Sequence, residues 1–172
     1  MEKLLKKTVV DVLDFPKKGI IFKDLTPVLK DKKVFKKLID VLYKRYKTRK
    51  IDKVVCVEAR GFLIGAPLAY KLGAGLVPVR KPGKLPRDRF KIEYALEYGT
   101  DALEIHKDAI DKGDRVLLLD DVLATGGTVA AVISLLENFD CKLEEVAFVM
   151  ELDFLKGRKK LGKNKVFSVV HY

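Results

Sequence analysis

One stretch constrains the fold more than any other: Val116–Thr128, VLLLDDVLATGGT. Its opening apolar run makes a strand buried on both faces. Two adjacent carboxylates end that strand, and a short loop with two glycines opens a helix. Such a pair of acids enters a core only at a large desolvation cost, so Asp120 and Asp121 face a polar ligand or water. The loop Ala124-Thr125-Gly126-Gly127-Thr128 offers backbone N–H groups without Cβ obstruction, plus two hydroxyls, at a helix N-terminus. That is a phosphate cradle. Carboxylates beside a phosphate repel it unless they accept hydrogen bonds from something else, and sugar hydroxyls do that. A ribose 5-phosphate satisfies both halves. No GK[ST] follows a Gly-rich run, so this is not a P-loop, and Gly73 and Gly75 precede a strand, which excludes a dinucleotide fingerprint.

The rest of the chain alternates strands and helices. Residues 2–13 are predicted as a short amphipathic helix, 14–19 (DFPKKG) as a turn, and IIFKD as an extended piece. Val34, Phe35, Leu38, Ile39, Leu42, Tyr43 and Tyr46 recur at three and four, which predicts a helix over 32–47. Strands are expected at 53–57, 76–80, 115–120, 145–151 and 166–170. Helices are expected at 62–72, ending at Gly73, at 127–138, and briefly at 154–161. Lys81–Phe90 (KPGKLPRDRF) reads as a polar loop whose cationic charges repel one another with little apolar surface to anchor it, followed by a possible strand over 91–97. Near-continuous apolar strands alternating with helices mean an α/β fold: a mainly parallel twisted sheet with helices on both faces. Ligands of such sheets bind outside the carboxyl ends of the strands.

Composition narrows the partners. Among 172 residues, 35 Lys and Arg face 24 Asp and Glu, a net charge of +11. That suits an anionic ligand. Residues 30–53 hold eleven Lys and Arg against three Asp. They spread over helical faces, so a solvated surface outweighs nucleic-acid binding. No apolar run approaches the ~20 residues of a membrane span, and no secretory leader is legible, so a cytoplasmic protein is expected, as a single domain over 1–172. Cys56 and Cys141 sit apart, each in an apolar run, without CxxC spacing. Two packed thiols are expected rather than a zinc site.

VLLLDDVLATGGT resembles the phosphoribosyl-pyrophosphate (PRPP) motif of the type I phosphoribosyltransferases. Four further segments resemble the family's adenine branch in its own order: DFPKKGIIFKDLTPVL (14–29), VEARGFLIGAPLA (57–69), RKPGKLP (80–86) and YALEYGTDALEIHKDAI (94–110). Residues 129–172 match loosely. The resemblance implies the family fold with a small hood, formed by residues 14–30, over the base site. It implies transfer of the 5-phosphoribosyl group of PRPP to adenine, giving AMP and pyrophosphate, with Mg²⁺, in a homodimer. Alternatives within the same fold are a xanthine or pyrimidine phosphoribosyltransferase and a PRPP-sensing, nucleic-acid-binding regulator.

Residue by residue, the resemblance implies that Asp120 and Asp121 hold the ribose hydroxyls and that Ala124, Thr125, Gly126, Gly127 and Thr128 hold the 5′-phosphate. Mg²⁺ is held mainly through PRPP, with Asp120 or Asp121 as its protein ligand. Glu58, Ala59, Arg60, Lys81 and Lys84 meet the pyrophosphate. Arg80 does so too, in the partner subunit's site. Ile21 and Lys23 read the base edge through their backbone, and Phe22 stacks on it. Glu97, in LEYG, handles the purine proton, and with Arg60 is the expected catalytic group. A cis peptide is implied at Glu58–Ala59. Without the resemblance, Glu58 and Arg60 read as a solvent ion pair and Lys81 and Lys84 as loop lysines. Ala124 stands where hypoxanthine–guanine relatives carry an Asp, which fits adenine.

Overall fold

A computed structural model describes residues 1–95 and 99–172. A two-stranded antiparallel ribbon near the N-terminus, β1 (Val10–Leu13) and β2 (Ile21–Asp24), lies between α1 (Glu2–Thr8) and α2 (Thr26–Lys30). Then come α3 (Lys32–Tyr46), β3 (Lys53–Val57), α4 (Arg60–Leu72), β4 (Gly75–Val79) and the antiparallel hairpin β5 (Arg89–Ala95) and β6 (Thr100–His106). The chain ends with β7 (Arg115–Leu123), α5 (Gly127–Leu136), β8 (Lys142–Glu151), two 3-10 turns (Asp153–Leu155 and Gly157–Leu161) and β9 (Val166–His171). Five strands form one parallel sheet in the order β4-β3-β7-β8-β9.

Alternation along the central strands explains the layering. Val54 and Cys56 of β3, with Leu117 and Leu119 of β7, join the core beneath α1–α4. Val55 and Val57, with Val116 and Leu118, join the core covered by α5, the hairpin and the second 3-10 turn. Helix α3 is cut by its sequence: Asp31 accepts hydrogen bonds from the backbone of Lys33 and Val34 at one end, and Leu38, Ile39 and Leu42 bury one face.

Several expected boundaries move. The helix read over 2–13 stops at Thr8, because Val9, Val10 and Val12 are β-branched and residues 21–24 offer a ladder partner. Helix α2, with Pro27 in its first turn, and strand β6 have no counterpart in the sequence reading. In β6, Asp101 and Glu104 hid the strand; Glu104 is nonetheless buried. Strand β7 does not end at its acids: Val122 and Leu123 still pair with Met150 and Glu151. The short helix over 154–161 is two 3-10 turns joined by Lys156 at φ +53°. Among the described residues, no helix is long and apolar enough to cross a membrane.

Helix α4 lies hard against β3. A Cβ on Gly65 would stand 1.9 Å from Cys56 Sγ. Gly65→Ala should therefore cost about 1–3 kcal/mol by overpacking. Cys56→Ala in the same chain should recover part of that loss. A double-mutant cycle from urea unfolding reads the coupling; strictly additive losses would refute the contact.

Candidate functional site

At the carboxyl ends of β3 and β7 lies a cavity of about 640 Å³, roofed by Ile20–Lys23 of the N-terminal ribbon. Its position follows from the topology. From β3 the chain crosses through α4 to β4 on one side, and β7 resumes on the other side and leads through α5 to β8. The two connections cover opposite faces, so the loops diverge and leave a crevice. Into it open Glu58–Arg60 after β3, the acids Asp120 and Asp121, and the loop Ala124–Thr128. Gly126 holds φ +77°, a conformation that favours glycine, and no side chain caps α5 behind it. An uncapped helix N-terminus with a glycine turn presents unpaired N–H groups and the positive end of the helix dipole, an arrangement that suits an anion.

The floor is charged. Arg60 Nε lies 2.5 Å from Asp121 Oδ2, an ion pair without hydrogen-bond geometry, so that buried oxygen makes no hydrogen bond. The same guanidinium stands 5.5 Å from the centre of the Phe22 ring. Burial pushes the Asp121 carboxyl above its ordinary range, opposed by Arg60. Burial raises Asp120 well above that range, and the neighbouring charge of Asp121 adds to it. The peptide bond Glu58–Ala59 is cis, as the resemblance implied. Gly61 begins α4 so close to β7 that a Cβ there would stand 3.1 Å from Asp120 Oδ1.

A phosphoribosyl transferase domain model matches residues 25–170. The adenine phosphoribosyltransferase of Geotalea uraniireducens is 59% identical over 168 residues, 98% of each chain. The chain belongs to the adenine phosphoribosyltransferase family. The crystal structure of adenine phosphoribosyltransferase from Thermoanaerobacter pseudethanolicus superposes with a TM-score of 0.95 at 53% identity, covering 99% of both chains. The Saccharomyces cerevisiae enzyme, complexed with an imino-altritol bisphosphate and adenine, gives 0.91 at 47% identity over 97% of both.

Within this cavity stand Ile21, Phe22, Lys23, Glu58, Ala59, Arg60, Asp120, Asp121 and Ala124–Thr128. Arg80, Lys81 and Lys84 are not among its walls. Arg80 Nε donates to Glu58 Oε2 at 2.9 Å, and Lys81 Nζ pairs with Asp101 at 3.0 Å. Arg87 pairs with Asp108, and Arg89 with the buried Glu104 at 3.0 Å. Gly83 donates its backbone N–H to Glu104, and Leu85 is buried. The polar loop is thus not a set of unopposed charges, as its sequence suggested, because acids of β6 and the turn after it stand against it. Glu97 lies outside the described residues. Sequence reasoning missed Ile20, Val122, Leu152 and Leu155 as walls. For the last two a signal existed: an apolar pair directly after the carboxyl end of β8, where ligands of parallel sheets bind. Tyr94, whose hydroxyl lies 3.4 Å from Thr128 Oγ1, was legible only as the first residue of the segment 94–110.

The raised Asp120 carboxyl has a measurable consequence. Folded Asp120 keeps its proton above the ordinary value of 3.8, where an unfolded one loses it. Stability contributed by Asp120 therefore falls as pH rises through and above that value. Asp120→Asn should be more stable than wild type near pH 7, by something on the order of 1 kcal/mol, with the gap closing toward about pH 3. Urea unfolding at both pH values checks this, and an equal gap at both would refute the linkage.

Proposed function

We propose that this protein transfers the 5-phosphoribosyl group of PRPP to adenine, releasing AMP and pyrophosphate. The observation that carries the reading is one cavity in which a carboxylate pair, a glycine turn at a helix N-terminus and the guanidinium of Arg60 meet beneath an aromatic residue. The N–H groups of Ala124–Thr128 hold the 5′-phosphate. Asp120 and Asp121 accept hydrogen bonds from the ribose hydroxyls. Those hydroxyls give the half-buried Asp120 and the buried Asp121 hydrogen-bond donors.

Phe22 stacks on the base, and the backbone of Ile21 and Lys23 reads its edge. Lys23 suits a main-chain role, since its Nζ is held by Asp11 at 2.7 Å and lies 4.6 Å from the centre of the Tyr172 ring. Ala124 presents no carboxylate to an oxopurine. As the C1′–O bond to pyrophosphate breaks and N9 of adenine bonds C1′, positive charge grows on the ribosyl group and negative charge on the leaving group. Arg60 and the Glu58–Ala59 backbone meet that leaving group, joined by Lys84 and, once pyrophosphate competes with the carboxylates of Asp101 and Glu58, by Lys81 and the partner subunit's Arg80. Glu97 accepts the proton from the purine.

The acid pair also fits Mg²⁺, with hard oxygen donors and a buried Asp121 Oδ2 that makes no hydrogen bond. Asp120 or Asp121 would hold the ion, mainly through PRPP. Mg²⁺ supplies neutralisation of the pyrophosphate charge when bound.

A homodimer is supported by an apolar strip on α4 and the edge strand β4, where Leu63, Tyr70 and Leu76 are 52%, 88% and 41% exposed. Arg80 follows that same edge. Sedimentation equilibrium should find a dimer; a monomer at micromolar concentration would count against it.

Pyrophosphate release with PRPP, Mg²⁺ and each base in turn tests the activity. Adenine should turn over, with hypoxanthine and guanine far poorer, and equal turnover of hypoxanthine would overturn the specificity. In the same assay, Glu97→Gln should slow the chemical step roughly 10²–10⁴-fold while PRPP affinity holds.

A further inference from the structure

The segment after β8 supplied no site residue to the sequence reading, which expected only a loose family match there; the family model runs through it to residue 170, and it stands directly behind the phosphate loop. A Cβ on Gly157 would lie 2.2 Å from the Ala124 carbonyl oxygen, and a Cβ on Gly126 would lie 2.4 Å from the Gly157 carbonyl oxygen. Backbone faces backbone there, so neither side has a flexible group that could yield. Gly157 is not in the left-handed region, so the demand at that position is for space rather than for a glycine conformation.

The turn that begins at Gly157 is itself anchored. Arg158 donates Nε and Nη2 to the two carboxylate oxygens of Glu151 at 2.6 and 2.7 Å, and Nη1 to the Val166 carbonyl at 3.3 Å. Glu151 is 4% exposed and also accepts from Ser168 Oγ at 2.6 Å. It sits in register with Leu123, the last residue of β7 before the phosphate loop. At the far end of the turn, Leu161 is buried in the core that α5 covers. The turn is therefore tied to β8, β9 and the core around α5, and touches the loop through its glycine.

We propose that Gly157 and Arg158 are positioning residues for the phosphate loop, which the turn backs as a rigid wall. The inference rests on the reading that Ala124–Thr128 hold the 5′-phosphate of PRPP. An anion cradle works through the aim of several N–H groups at one point. A side chain at position 157 must push the Ala124 carbonyl away and re-aim the N–H groups that follow it. Shifts near 1 Å in such arrays cost about 100-fold in function. In the same reading the pyrophosphate contacts come from the β3–α4 loop and the polar loop.

Calorimetric titration with ribose 5-phosphate and, separately, with pyrophosphate tests the proposal, using the full chain. Gly157→Ala should lose ribose 5-phosphate affinity by about 10–100-fold and keep wild-type pyrophosphate affinity. In steady state its KM for PRPP should rise while KM for adenine holds. Arg158→Lys, which adds no atoms against the loop, should show a smaller loss of the same selectivity. Leu38→Ala, a cavity in the core on the opposite face of the sheet, should unfold more easily yet bind both ligands as wild type does. Wild-type ribose 5-phosphate affinity in Gly157→Ala, or equal losses for both ligands, would overturn the proposal. If Gly157→Ala does not fold, Arg158→Lys decides: unchanged ribose 5-phosphate affinity there overturns it. If the wild-type protein itself binds no ribose 5-phosphate, the reading of the loop fails first, and the wall loses its purpose with it.

Discussion

The parallel pairing of β3 with β7, from Lys53 opposite Val116 to Cys56 opposite Leu119, is the contact on which everything else depends. It joins two strands more than fifty residues apart. It sets the Glu58–Arg60 loop beside the Asp120–Thr128 segment and sends the two following helices to opposite faces. The crevice is what remains where those paths diverge. Close packing holds it in shape: Gly61 and Gly65 bring α4 onto the strands, and Gly126 and Gly157 bring the last turn onto the phosphate loop. At each of these points a methyl group has little or no room.

Buried acids in this protein are of two kinds. Glu145 meets Arg45 in a two-pronged hydrogen bond and accepts from Tyr46. Burial raises its carboxyl, but these partners and the charge of Arg49 more than offset that and hold it below its ordinary range. Glu151 is treated the same way by Arg158 and Ser168. These are satisfied groups that tie helix to strand and turn to sheet. Asp120 and Asp121 differ. Their carboxyls are raised, and Arg60 offsets the burial only in part. Acids perturbed in this way, at the floor of a crevice, mark a candidate functional site.

Much of this was legible from residue order alone. The four-residue apolar run before Asp120 could only be an interior strand, and helix α3 follows its three–four spacing from Lys32 to Tyr46. Strand β6 was not legible, because Glu104 is an acid that becomes buried only once Arg89 and the Gly83 N–H fold against it. Val10 and Val12 fell to a strand because of a partner ten or more residues away, which no local pattern reveals. The polar loop misled for the same reason: its cations look unopposed until Asp101, Glu104 and Asp108 are brought opposite them.

The sequence by itself determined the chemistry on offer: adjacent carboxylates, a glycine turn opening a helix, and a cationic excess suited to an anion. Those are properties of neighbours along the chain, and local covalent order suffices to state them. Only the tertiary structure decided which distant groups share a wall. It set Arg60 on Asp121, Phe22 above Arg60, Tyr94 beside Thr128, and Gly157 behind Ala124. Such pairings depend on sheet order and on the face each strand residue takes. They are settled by burial summed over the whole core, which no short stretch of residues encodes.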